Sequence, residues 1–423
     1  MPRLPLIVRG AVARATRFLG APSRCNGVPN GAFYRLLVLL VVALVAAPSV
    51  VAHGPDAPPG LAIDPEDRFA PFDPSATPRV IAVATPVERA GELSGRGLDL
   101  WAYLPLEGVG IFLVDSAQEL RLRAEGFDVR LDVERTAGLH AARAAAEQAP
   151  QGAGIPGFPC YRTVGETYAD LSALAASHPE IAAWTSFGSS WQLLNGAPGA
   201  GDELFVLQLG RRDTPEVDQA PLVVIAAMHA RELSTAEIVA RFAETLVAGY
   251  GVDPDLTWLL DHRMIHIVAQ LNPDGRARAE AGEFWRKNVN SDFCTGGLEG
   301  IDLNRNSSFE WGGGSSSECS EIFRGPSAAS EPETAAIEAY LATVFEDQKG
   351  ALSEAAPDDA EGVFLSFHSF GELILYPWEF TNSPLAPNHD ALRTLGRKLA
   401  ADSNYVVCQD CLGTASGTTP DVA

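Results

Sequence analysis

The stretch Met228-His229-Ala230-Arg231-Glu232 decides how this chain is read. The apolar run Leu222-Val223-Val224-Ile225-Ala226-Ala227 precedes it, and Leu233-Ser234-Thr235-Ala236-Glu237-Ile238-Val239-Ala240 follows. The first run predicts a short buried strand and the second a helix with apolar residues at helical spacing. His229 and Glu232 then sit three apart in a strand-to-helix turn, where an imidazole nitrogen and a carboxylate oxygen can converge on one point. Such a donor pair suits zinc, and a catalytic zinc needs one more protein ligand plus water. In a chain of 423 residues with eight histidines an HxxE pattern also arises by chance, so the surrounding sequence has to decide.

A length of 423 residues allows one large domain or two smaller ones. Hydrophobic content of 46% with 20% charged residues describes a globular chain. The formal net charge of −23 argues against nucleic acid as a partner, because phosphate would be repelled. Residues 1–52 contain no Asp or Glu but carry Arg3, Arg9, Arg14, Arg17, Arg24 and Arg35. Leu36 to Ala47 is continuously apolar, and Val50-Val51-Ala52 is a small-residue exit. This reads as a signal peptide over 1–52 with a long basic leader, and predicts a secreted protein, extracellular or periplasmic. An uncleaved anchor is the competing reading. The run Leu36–Ala52 is short for a span and contains Pro48, so no stable membrane insertion is expected after cleavage.

Residues 53–78, rich in Pro, Asp and Ala, read as a linker. Over 79–150 strand-like runs (Val80–Val83, Leu98–Tyr103, Gly110–Val114, Phe127–Asp132) surround a helix from Ser116 to Glu125, capped by Ser116. That predicts a small α/β unit, either a pro-region or an accessory domain. Ala141 to Pro156 is an Ala/Gln/Gly/Pro connector suited to a processing cut. From about residue 155 to 423 strands alternate with helices, which predicts a largely parallel sheet covered on both faces, with chemistry at strand C-terminal ends. His229 occupies one such end. His368, closing the apolar strand Val363–Phe367, occupies another and is the candidate third ligand. Of the six cysteines, Cys25 lies in the leader. Cys294 and Cys319 could close a loop, and Cys408-Gln409-Asp410-Cys411 could be a tight disulfide or a redox pair. The exported chain keeps five, which leaves one thiol without a partner.

Further polar clusters separate the two ligand sites: Asn272-Pro273-Asp274-Gly275, Trp285-Arg286-Lys287-Asn288 and Gly300-Ile301-Asp302-Leu303-Asn304-Arg305-Asn306. Arg305 between two asparagines can form a bidentate carboxylate-binding fork. With HxRE, FHSF followed by LYPW, and ASGTTPD, these motifs stand in one order from about Tyr161 to Asp421, and that stretch resembles the zinc metallocarboxypeptidases of the carboxypeptidase A/B type. The resemblance implies an α/β fold with a mixed, largely parallel eight-stranded sheet between helices, preceded here by the small N-terminal unit. It implies one zinc ion held by His229, Glu232 and His368. Arg231 and Arg286 match residues that contact the scissile carbonyl, and Asn304 and Arg305 match the pair that grips a peptide's free C-terminal carboxylate. Cys294 and Cys319 flank GIDLNRN as the family's disulfide does.

Two departures follow. Gly413 stands where the family has a substrate-covering tyrosine, which implies weaker capture. The family's general-base glutamate lies on a strand beyond Ala423, which implies a chain truncated before its final strand and helix. Pro420 falls at the position that sets side-chain preference and predicts none. The function expected is therefore a secreted, zymogen-borne and monomeric zinc carboxypeptidase acting on peptide or protein C-termini. The alternative is a non-catalytic module that binds zinc and peptide C-termini.

Overall fold

The computed structural model describes residues 77–140 and 154–409, apart from short gaps of which 214–218 is the longest, together with Phe69 and Thr418. The expected signal peptide, almost all of the linker, Cys25, Cys411, Gly413 and Pro420 lie outside the described residues. Among those described, no helix is long and apolar enough to cross a membrane.

The N-terminal unit is a four-stranded antiparallel sheet in the order β2-β3-β1-β4, formed by β1 (Arg79–Ala84), β2 (Asp99–Leu104), β3 (Val109–Val114) and β4 (Asp128–Leu131). Helix α1 (Ser116–Ala124) connects β3 to β4. Its cap is Asp115, not Ser116: the Asp115 carboxylate accepts from the Ala117 and Gln118 amides at 2.8 Å, and the Gln118 side chain accepts from the Asp115 amide. Such a reciprocal cap stabilises a helix by about 1 kcal/mol. The strands alternate cleanly. Ile81, Val83, Phe112 and Val114 form one core with Leu122 of α1. Val80, Ile111 and Leu113 form another on the opposite face, and Phe284 of the second domain packs into it.

The second domain begins with α2 (Val164–Ser177), capped by Thr163 and Glu166. There follow β5 (Ala182–Ser189), α3 (Trp191–Asn195), β6 (Glu203–Leu209), β7 (Ala220–Ile225), α4 (Leu233–Gly249), α5 (Pro254–His262), β8 (Arg263–Val268), α6 (Pro273–Glu280), α7 (Pro332–Val344) and β9 (Val363–Ser366). The main sheet has the order β5-β6-β8-β7-β9. Its two outer pairings at the β5 end are antiparallel and the two involving β7 are parallel. The sheet is thus mixed as expected but only half parallel. The reason is local: only ten residues separate β6 from β7, fewer than a parallel crossover needs, and β6 runs antiparallel to β8. A separate parallel pair, β10 (Leu373–Leu375) with β11 (Val406–Cys408), carries α8 (His389–Leu399). Among the described residues the second domain thus has seven strands. Along β7, Leu222 and Val224 pack on Val239, Phe242 and Leu246 of α4, while Val223 and Ile225 pack on Ile337 and Leu341 of α7. The continuous apolar run is required because both faces of this strand are covered.

Cys294 and Cys319 are disulfide-bonded, closing a 25-residue loop. Cys160 and Cys408 are each engaged in a disulfide, and no described cysteine is free, so the described residues do not contain the unpaired thiol expected from the odd count.

Under the main sheet Glu333, fully buried in the first turn of α7, accepts from the Trp191 amide at 2.7 Å and from the Asn288 side chain at 3.3 Å. Burial pushes its carboxyl up to about 8, backbone hydrogen bonds from Glu333 itself and Trp191 oppose the shift, and Glu331 and Asp274 add to it. The unfolded chain ionises this group near 4.5. The native state therefore holds a proton that the unfolded state releases, so stability is full below that value and declines as pH rises toward 8. Thermal unfolding followed by circular dichroism should show the melting temperature falling by roughly 5 °C across this window, and Glu333→Gln should flatten the decline.

Candidate metal centre

Register brings the predicted ligands together. Strands β7 and β9 pair in parallel with Ile225 opposite Ser366, and the Phe367 amide donates to the Ile225 carbonyl at 2.9 Å. Both strands thus end at the same level, and His229 and His368 lie just beyond it. The chain turns sharply after β7 because Ala227 adopts φ = +52°, a left-handed conformation uncommon outside glycine. The Thr235 hydroxyl accepts from the Ala227 amide at 3.0 Å and holds the turn against the first turn of α4.

Glu232 occupies the N-cap position of α4 yet makes no capping hydrogen bond. Its carboxylate is directed at the histidines instead: Oε1 lies 2.8 Å from His229 Nδ1 and Oε2 lies 3.0 Å from His368 Nδ1. The Ser369 amide donates to Oε2 at 3.1 Å. Burial would raise this carboxyl, but the two imidazoles beside it win and hold it well below its usual range. His229 and Glu232 are buried and His368 is exposed, so the cluster opens to solvent on one side.

The tautomer of His229 follows from its other nitrogen. Nε2 lies 3.2 Å from the Asp302 carboxylate, which can only accept, so Nε2 carries the hydrogen and Nδ1 presents a lone pair. That lone pair faces His368 Nδ1 at 3.0 Å as well as the Glu232 carboxylate. Electron-rich atoms converging this way repel unless a cation lies among them. The ligand atoms of His229, Glu232 and His368 all fall within 4.8 Å of one another, a set of two nitrogens and a carboxylate that fits zinc with room for water.

Asp302, fully buried, was part of a recognised motif but had no role assigned from sequence. Besides His229 it accepts from Arg286 Nε and Nη2 at 3.2 and 3.0 Å and from the Asn304 amide at 3.0 Å. Burial alone would raise this carboxyl, but Arg286 and His229 hold it well below its ordinary value. Asp302 arrives there because Gly300, at φ = +97°, lets its segment lie against Trp285–Asn290: a Cβ on Gly300 would sit 2.2 Å from the Asn288 carbonyl oxygen. The only sequence signal was an acid between two apolar residues, Ile301 and Leu303, both buried.

The predicted substrate residues divide. Arg286 is within the cluster, tied through Asp302 to His229. Asn304 and Arg305 form a short 3-10 turn beside it, and the buried Asn304 Oδ1 has no hydrogen-bond partner among the described residues. Arg231 is turned toward the N-terminal unit: it meets Asp99 at 2.5 Å and Glu321 at 3.4 Å and lies over the Phe284 ring at 4.6 Å.

The sequence profile of the zinc carboxypeptidases matches residues 167–419. Carboxypeptidase A1 of Rattus norvegicus is 27% identical over 278 residues, which cover 62% of this chain and 59% of that protein. The chain therefore spans about three fifths of the length of this curated relative. A protein of Talaromyces marneffei named inactive metallocarboxypeptidase is 29% identical over 264 residues, covering 57% of this chain and 42% of that one. Among solved structures, carboxypeptidase A of Helicoverpa armigera superposes with a TM-score of 0.64 at 25% identity, covering 82% of this chain and 85% of its own. With the profile matched over more than half of the sequence, the chain belongs to the zinc carboxypeptidase family.

Proposed function

We propose that this protein is an exported zinc-dependent carboxypeptidase that removes the C-terminal residue of peptides. The observation that carries this reading is the cluster of His229, Glu232 and His368 next to Arg286, Asn304 and Arg305. A zinc ion bound by the three ligands supplies Lewis-acid polarisation of the scissile carbonyl and lowers the pKa of its water. Arg305 grips the free carboxylate of the substrate, which fixes the last peptide bond a set distance from the ligands. Arg286, kept charged by Asp302 despite burial, meets the oxygen on which negative charge develops. Asp302 orients His229 by accepting from Nε2 and leaves Nδ1 for the metal. No described residue is assigned as general base.

The N-terminal unit is read as a pro-region. Its Asp99 engages Arg231 at the rim of the cluster, and its outer sheet face is covered by Phe284. Substrate contact by Arg231 requires that ion pair to open, so cleavage in the 141–156 connector would release it. A second reading, a non-catalytic module binding zinc and peptide C-termini, draws support from the similarity to a relative named inactive.

Mass spectrometry of peptides incubated with the zinc-loaded protein tests the first reading: loss of one C-terminal residue is expected, and amidated peptides should be untouched. Peptide binding that depends on Arg305 without any turnover would favour the second. Asp302→Asn should weaken zinc binding by about 10–100-fold in competition with a chromophoric chelator. Asp99→Ala, or cleavage in the connector, should tighten the binding of free-carboxylate peptides relative to the intact chain. Unchanged affinity would show that the N-terminal unit does not shield the site.

A further inference from the structure

Three parallel strands end at the level of the metal centre. Val268, the last residue of β8, lies opposite Ile225 of β7, whose other neighbour is Ser366 of β9. Strands β7 and β9 lead into the ligands, and β8 leads into Asn272-Pro273-Asp274-Gly275. The segments stay together past the strand ends: the Ala226 amide donates to the Val268 carbonyl at 2.9 Å, and the Leu271 amide to the Ala226 carbonyl at 3.1 Å. Asn272 thereby arrives beside the ligand turn, fully buried.

Both polar atoms of its side chain are engaged. Oδ1 accepts from the Gly275 amide at 3.0 Å and caps α6. Nδ2 donates to the Met228 carbonyl and to the Lys287 carbonyl, each at 3.0 Å. Met228 immediately precedes the ligand His229, and Lys287 immediately follows Arg286. The same two segments share one backbone bond, from the Ala230 amide to the Arg286 carbonyl at 3.0 Å. A single hydrogen bond lets two segments pivot about it, and the Asn272 bridge is a second tie that fixes their angle. A short primary amide suits this place because it offers two donors and an acceptor on adjacent atoms. Gly275 lets the parts meet: a Cβ there would lie 2.5 Å from the Lys287 carbonyl oxygen and 2.7 Å from the Asn272 amide.

We propose that Asn272 is a positioning residue for peptide hydrolysis, whose amide clamps the ligand turn to the segment carrying Arg286 and so sets where that guanidinium stands relative to the metal site. The inference rests on the carboxypeptidase reading above and deepens it. Arg286 meets charge that develops only as the reaction proceeds, whereas Arg305 holds a carboxylate already present in the bound peptide. The turn that carries Arg305 hangs instead on Phe323, whose carbonyl accepts from the Asp302 amide at 2.8 Å. Loss of the clamp therefore acts on the transition state far more than on the ground state. A residue that only capped α6 would behave differently, because serine and aspartate cap helices as well as asparagine does. Serine at this position keeps the cap and lacks the two amide donors. Aspartate keeps the cap and sets a carboxylate against two carbonyl oxygens.

The test is calorimetric titration of the zinc-loaded full chain with two peptides of one sequence. One is the plain free acid, and in the other a phosphonate replaces the last peptide bond, so that a charged tetrahedral group imitates the transition state. Asn272→Ser should bind the phosphonate about tenfold or more weakly, with affinity for the plain peptide changed by no more than about twofold. Turnover should show the same division, with kcat falling and KM nearly constant. Asn272→Asp should lose still more affinity for the phosphonate. Leu171→Ala, which truncates a buried apolar side chain on α2, should lower the melting temperature without changing the ratio of the two affinities. Gly275→Ala leaves the Asn272 amide in place but crowds the clamp, so it should reproduce the selective loss, and it decides the question if Asn272→Ser does not fold. Equal weakening of both ligands in Asn272→Ser, unchanged phosphonate affinity, or failure of both clamp variants to fold overturns the role of Asn272 while the carboxypeptidase reading stands. A wild-type chain that does not prefer the phosphonate to the plain peptide overturns both.

Discussion

The parallel pairing of β7 with β9 is the constraint on which the site depends. With Ile225 opposite Ser366, two segments separated by more than a hundred residues finish at one level, and their next few residues must share the space above the sheet. A shift of one residue in this register would carry His368 to the opposite face of its strand. The register is held because β7 is buried on both sides between α4 and α7, so every side chain of the strand has a fixed place. The helices that stabilise the sheet are thereby the elements that align the ligands.

Above the sheet, the dominant feature is buried charge. His229, Glu232, Asp302 and Arg286 lie within one hydrogen-bonded chain, little exposed to water. Groups of this kind are expensive to bury singly and tolerable only as a set in which each satisfies the next. Glu232 illustrates the cost: it forgoes the capping bond that a helix N-terminus normally takes from such a residue and gives its carboxylate to the histidines. The local rule of helix formation is broken where the chemistry is, which is where local and global demands most often diverge.

The N-terminal unit bears on the same centre from outside. One face of its small sheet closes its own core, while the other is covered by Phe284, one residue before the motif that carries Arg286. Asp99 then reaches Arg231, one residue before Glu232. Sequence reading could not foresee this contact, since nothing local links Asp99 to a position 132 residues away. Arg231, expected at the substrate, pairs here with an acid of the other sheet.

The sequence by itself determined the zinc-ligand candidates, the α/β class and the family. Those properties are written in short-range signals: a doubly apolar strand, an HxxE turn, amphipathic helices and motifs in fixed order. The half-parallel character of the main sheet was not legible, because strand direction depends on which strands become neighbours and not on their composition. Neither was Asp302, which looks like an ordinary acid between Ile301 and Leu303 until Gly300 lets its segment lie against Asn288. Local chemistry chose the residues. Tertiary structure decided which charges must face one another, because Coulombic and hydrogen-bonding partners are set by distance in space and not along the chain.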